Sequence, residues 1–286
     1  MDQKQRLDYL VEKFKEDSGE YRNLKVSDND VEKRRILRSL MNIRMPRHMD
    51  EEILKVQDEF LKEDAREKGI VTLDQIPTVK EAYHSTVPFA EKISICRAIS
   101  PDFRWELSSM QPTPRCWAVL YCHRCIDNAI HSAAGVELRA ECSRQMNQKR
   151  IRYGRSYEEP TGQAMVTGGY NLPAEHVIHT VGPIVYYEVT DKLRQDLKNC
   201  YESVLNCCLE NNIRSVAFCC ISTGEFHFPN KEAAEIAVNT TETFLEKHGD
   251  AFDRVIFNVF KDMDLEYYKI SFKYPVSSWL YENSLG

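Results

Sequence analysis

Apolar positions recur at helical spacing through the first quarter of the chain. Leu7, Leu10, Val11 and Phe14 form one stripe. Val31, Ile36, Leu37, Leu40 and Met41 form a second, and Ile53, Val56, Phe60 and Leu61 a third. Ser27-Asp28-Asn29-Asp30 offers N-caps for the second helix, Pro46 interrupts the pattern, and Met49-Asp50 opens the third. Residues 1–75 are read as a charged helical segment, either a cap packed on the rest of the chain or a lid facing a substrate.

From about Ile70 the pattern changes. Pro77, Pro88 and short apolar runs predict a linker, followed by a strand near Lys92–Ile95. Ile126, Ala129, Ile130 and Ala133 line one face of a helix whose opening residues, Asp127 and Asn128, are suited to capping. A second helical stretch covers Val136–Lys149, and a Gly-rich turn at Thr167-Gly168-Gly169 precedes a strand at His176–Val181. Asp191–Asn211 reads as a long helix. Ser215–Ile221 is a continuous apolar run, the pattern of a strand buried on both faces. The loop Ser222–Pro229 leads into a helix capped by Asn230, and Arg254–Phe260 and Asp264–Phe272 read as a last strand and helix. Strands alternating with helices predict an α/β fold with a mainly parallel sheet.

Composition narrows the class. The 286 residues suffice for one large domain, or a large and a small one, and 42% hydrophobic content supports a sizeable core. A formal net charge of -6, without a dense Lys/Arg stripe, argues against a nucleic-acid partner. No apolar run approaches the roughly 20 residues that span a bilayer, so no membrane partner is expected. The charged MDQKQRLDYL start lacks an apolar signal core, which places the chain in the cytoplasm and its ten cysteines as thiols rather than disulfides.

The stretch Tyr121–Gly135, YCHRCIDNAIHSAAG, carries the first candidate chemistry. His123 and Cys125 are two soft metal ligands at the mouth of a helix N-terminus, which itself attracts anions. A buried Cys beside a hydrogen-bonded His explains the same spacing, and zinc normally takes at least three protein ligands. The Ser222-Thr223-Gly224-Glu225-Phe226 loop carries the second: a glycine for close backbone approach, two hydroxyls, and Phe226 or Phe228 to pack on a sugar or base. It is no Walker loop, because no Gly-Lys-Ser/Thr follows. His131, one turn beyond Asp127, is placed to hydrogen-bond it, and His227 borders the second loop. His176 and His179 are read as facing one way on a strand, a metal pair or simply a satisfied strand pair; Cys207-Cys208 and Cys219-Cys220 read as buried thiols.

Taken together, YCHRCIDNAIHSAAGVELRAEC, VIHTVGPIV and CCISTGEFHFPNKEAAEIA, in this order, resemble the zinc-containing macrodomain proteins. These are ADP-ribose-binding enzymes with an added N-terminal helical segment. The resemblance implies a three-layer α/β/α sandwich over residues 76–273, a helical segment over 1–75 and a tail over 274–286. It implies a zinc-dependent hydrolase that removes ADP-ribose from mono-ADP-ribosylated protein side chains, with ADP-ribose and the modified protein as partners. By the same likeness His123 and Cys125 hold the zinc and act in catalysis through it. Cys125, Ile126 and Asp127 line the proximal cleft, Ser222–Phe226 surround the diphosphate and ribose, and Asn258 and Phe260 lie near the adenosine.

One segment departs from the family pattern. After the first strand the family continues with Gln-Gly-Asp-Ile-Thr, then Asn-Ala-Ala-Asn, then Leu-Gly-Cys-Phe, whose Cys is the first zinc ligand. Residues 96–120 read CRAISPDFRWELSSMQPTPRCWAVL instead, and the position five before His123 is Ala118. Permitted codons for this segment, read one base out of frame, restore all three motifs in order. A pair of compensating frameshifts bracketing roughly residues 96–120 is therefore expected, with Cys116 or Cys122 as the substitute third ligands on offer. Two other readings stand beside the hydrolase. One is a module that binds ADP-ribose without cleaving it; the other is a Cys125–His123 nucleophilic hydrolase, disfavoured because residues two apart rarely set a base against its nucleophile.

Overall fold

The computed structural model describes residues 1–17, 21–43, 50–68, 73–97 and 126–273. These fall into two compact units, one of Met1–Ile70, Arg115–Glu158 and Thr167–Glu175, the other of Val71–Pro114, Glu159–Val166 and His176–Gly286.

The first unit is helical: α1 (Gln3–Asp17), α2 (Asp30–Ile43), α3 (Glu51–Lys68), α5 (Ile126–Ala134) and α6 (Val136–Tyr153). The three expected stripes close one core in which Leu10, Phe14, Leu37, Phe60 and Val136 are almost fully buried. Val31 departs from its stripe and is 77% exposed, because it sits in the first turn of α2, ahead of the buried face. Its N-cap is Asn29, whose Oδ1 accepts from Val31 at 2.8 Å, and Asp50 does the same for Ile53 at 2.9 Å in α3. Arg6 joins α1 to Glu63 of α3 at 2.6 Å, and Lys33 of α2 reaches Asp8 of α1 at 2.6 Å. The buried Gln57 ties α3 to α6: its Oε1 accepts the Val136 N–H at 3.3 Å and its Nε2 donates to Glu137 at 2.9 Å. Gly135, at φ 94, precedes α6 without a side-chain cap, and Gln57 supplies one from a distant helix. The N-terminal helices thus share their unit with α5 and α6.

The second unit is α/β. β1 (Ile93–Arg97), β4 (Ser215–Cys219) and β5 (Arg254–Val259) form a parallel sheet in the order β1-β5-β4, while β2 (Ala164–Gly168) pairs with β3 (His176–Thr180). The order places β5 centrally, which is why Val255–Val259 are buried without interruption. Its helices are α4 (Val79–Tyr83), α7 (Asp191–Glu210), α8 (Asn230–His248) and α9 (Asp262–Lys273). Aromatic packing fixes α9 to β5: the Phe257 ring lies 4.9 Å from Tyr268 and 5.9 Å from Phe272.

The strand periodicity did not disclose β2, which takes in Thr167-Gly168 where the sequence reads as a turn; the turn begins at Gly169. A Cβ on Gly169 would sit 1.8 Å from the Ala174 carbonyl oxygen, so close backbone approach explains this glycine. α4 was also not legible, being five residues long and set by a Thr78–Glu81 capping box. His179 is buried and His176 half-buried; three residues apart on a strand, they face opposite ways rather than together. Among the described residues no helix is long and apolar enough to cross a membrane.

Candidate functional site

β4 ends at Cys219 and α8 begins at Asn230, so the connecting loop leaves the carboxyl end of a buried parallel strand and enters a helix N-terminus. That is where α/β sheets place ligands. Carbonyls in the middle of the loop are engaged. Ser222 accepts from Phe228 at 2.9 Å, Gly224 from His227 at 3.1 Å and Phe226 from Val185 at 2.9 Å. Thr223 accepts from Lys261 Nζ at 3.4 Å. Ser222 and His227 adopt left-handed backbone, φ 63 and 56, which non-glycine residues hold only where surroundings enforce it.

The amides of Gly224, Glu225 and Phe226 donate to no acceptor among the described residues. A trans peptide points its carbonyl and its N–H in opposite directions, so engaging the Thr223 carbonyl turns the Gly224 N–H away from Lys261. Consecutive backbone N–H groups beside a helix N-terminus form an anion-binding arrangement. Gly224 has no left-handed φ, and a Cβ there would meet nothing within 4 Å. Neither a left-handed backbone nor contact with the described residues requires glycine there.

Of the neighbouring aromatics, Phe228 is buried at 1% and belongs to the core, so Phe226, half-buried, is the one available to a ligand. Asn230 does not cap α8. It is the helix's first residue, Pro229 gives no side-chain bond, and the Asn230 amide donates to Asp264 at 2.5 Å. Asn258 is buried at the carboxyl end of β5 with an Oδ1 that finds no hydrogen-bond donor among the described residues, and Phe260 beyond it is 57% exposed.

In the first unit, Ile126 and Asp127 open α5 and are half-buried. Burial pushes the Asp127 carboxyl up to about 6, against the lowering effect of Arg139. His131 Nε2 stands 3.7 Å from Asp127, an ion-pair separation rather than the hydrogen bond that the helical spacing predicts. His123 and Cys125 lie outside the described residues, as do Cys116, Ala118 and Cys122. Among the described residues no group of three or more His, Cys, Asp or Glu is arranged to hold a metal ion. Of the four thiols read as buried, Cys208 and Cys219 are buried while Cys207 and Cys220 are half-buried, and burial pushes Cys208 up to about 12.

Residues 117–237 match the Macro domain family. The chain is similar to the protein-ADP-ribose hydrolase of Treponema medium, at 38% identity over 271 residues that cover 92% of this chain and 97% of that protein. The chain belongs to the macrodomain family. The protein-ADP-ribose hydrolase of Staphylococcus aureus strain MRSA252 is 35% identical over 94% of this chain and 96% of its own length. Among solved structures, the Trypanosoma brucei macrodomain in complex with ADP-ribose superposes with a TM-score of 0.59 at 26% identity, covering 81% of this chain and 94% of that one.

The macrodomain match contains both the His123–Asp127 and Ser222–Phe226 stretches. It starts at residue 117, near the end of the segment in which three family motifs are missing. Imidazole and thiolate suit zinc in kind, but His123 and Cys125 are one short of the usual three protein ligands, and Ala118 holds the position of the expected third. Sequence reasoning missed Lys261 and Val185, the loop's two outside supports. Lys261 was findable, since it follows the last strand directly at the carboxyl end of the sheet.

Proposed function

We propose that this macrodomain is a cytoplasmic, zinc-dependent hydrolase that removes ADP-ribose from mono-ADP-ribosylated protein side chains. The observation that carries this reading is likeness over 97% of the length of a protein-ADP-ribose hydrolase. The loop supports it physically: the amides of Gly224, Glu225 and Phe226 offer donors to a diphosphate, and the half-buried Phe226 ring offers a face to a sugar. The reaction breaks the bond from the ribose anomeric carbon to the protein side-chain atom. The oxygen of a water takes that atom's place on the carbon, and the water's proton goes to the leaving group. His123 and Cys125 would hold the zinc, which would supply Lewis-acid chemistry when bound.

Ala118 at the expected third-ligand position favours a second reading, an ADP-ribose-binding module without cleavage. The deciding experiment follows ADP-ribose release from a mono-ADP-ribosylated protein, with and without a chelator, beside ADP-ribose binding by calorimetry. Chelator-sensitive release supports the hydrolase. Binding without release supports the module, and neither release nor binding overturns both.

A further inference from the structure

Asp264 lies in the first turn of α9, is 3% exposed, and meets the Cys220–Asn230 connection where it enters α8. After the loop, Asn230 Nδ2 donates to Asp264 Oδ1 at 2.5 Å. Before it, burial and then the Asp264 charge push the Cys220 thiol well above its usual value. Between them Lys261, from the turn that leads into α9, holds the Thr223 carbonyl at 3.4 Å. α9 itself is anchored by the Phe257–Tyr268 and Phe257–Phe272 ring contacts and by Ser85 Oγ donating to the Phe272 carbonyl at 2.5 Å. The support is therefore rigid and the loop is what it positions.

We infer that Asp264 is a positioning residue for this loop, fixing its junction with α8 so that the Gly224, Glu225 and Phe226 amides face a ligand diphosphate. The carboxylate does not bind the diphosphate itself, because like charges repel and its oxygen is already engaged by Asn230. Its own negative charge is offset by the N-terminal end of α9. The inference rests on reading the loop as the diphosphate seat.

Hydrogen exchange and ADP-ribose calorimetry on the full chain test the two separately. In Asp264→Ala, the hydrogen-bonded loop amides of His227 and Phe228 exchange faster without ligand while those of β5 do not. ADP-ribose Kd rises about tenfold, the loss of one hydrogen bond to a charged group. Asp264→Asn keeps an acceptor for Asn230 and binds close to wild type. Asn230→Asp sets two carboxylates together and weakens binding, and adding Asp264→Asn to it restores an amide–carboxylate pair and the affinity. Should Asp264→Ala not fold, this exchanged pair decides. Wild-type loop exchange and affinity in Asp264→Ala, or no rescue in the exchanged pair, would overturn the inference. Gly224→Val is the control for the reading beneath it: unchanged affinity there would show that the loop is not the seat, and the inference falls with it.

Discussion

Phe228 donates its backbone N–H to the Ser222 carbonyl across 2.9 Å, closing a loop in which Ser222 is fully buried and left-handed. That closure is independent of Gly224, whose missing side chain faces open space. Gly224→Val should therefore fold with an unfolding temperature close to wild type. It should weaken ADP-ribose by more than about tenfold, because the added branches occupy the approach to the amides and each tenfold is ~1.4 kcal/mol. Calorimetry beside a thermal melt checks both parts.

Gln57 is the only side chain capping the start of α6 among the described residues, and it is fully buried. Gln57→Leu keeps much of the volume but strands the Val136 N–H and the Glu137 carboxylate. A loss of about 1–3 kcal/mol is expected, the penalty for buried groups left unsatisfied. At roughly 2–4 °C per kcal/mol the melting shift is readily measured.

Glu242 on α8 has a buried Oε1 with no hydrogen bond among the described residues. Burial, then the neighbouring Glu246, push its carboxyl from 4.5 up to about 7. The folded chain holds this proton to higher pH than the unfolded chain, so its contribution to stability falls as pH rises from about 4.5 to 7. Glu242→Gln should raise stability at pH 8 relative to wild type and leave it little changed at pH 4. Denaturant titrations at both values decide; an equal effect at the two would refute the assignment.

The purified chain should hold less than one equivalent of zinc, because Ala118 stands where the third ligand is expected. Elemental analysis after dialysis checks this, and a full, tightly held equivalent would count against it. Resequencing codons 90–124 from source DNA tests the origin of the deficit. A corrected frame that restores the three motifs predicts a protein with a full zinc equivalent and chelator-sensitive activity.

The stretches proposed to carry the site stand out in the sequence because their chemistry is local. A glycine between two hydroxyls and an aromatic, Ser222–Phe226, needs no tertiary contact to be noticed. Roles that depend on contacts between distant segments do not stand out. Asn230 has the residue type of a cap and the position of one, yet its amide is drawn to Asp264, 34 residues away. Phe228 and Phe226 look alike in sequence, and only burial separates a core ring from an available one.

The sequence alone determined the three N-terminal helices, the buried strands β4 and β5, the long helices α7 and α8, and the family, since hydrophobic period and local motif are properties of neighbouring residues. Tertiary structure decided that β5 is the central strand, that Gln57 caps α6, that Thr223 leans on Lys261, and that Asp264 holds Asn230 where the loop enters α8. Each of those joins residues far apart in the chain, and no periodicity encodes which distant donor will find which acceptor.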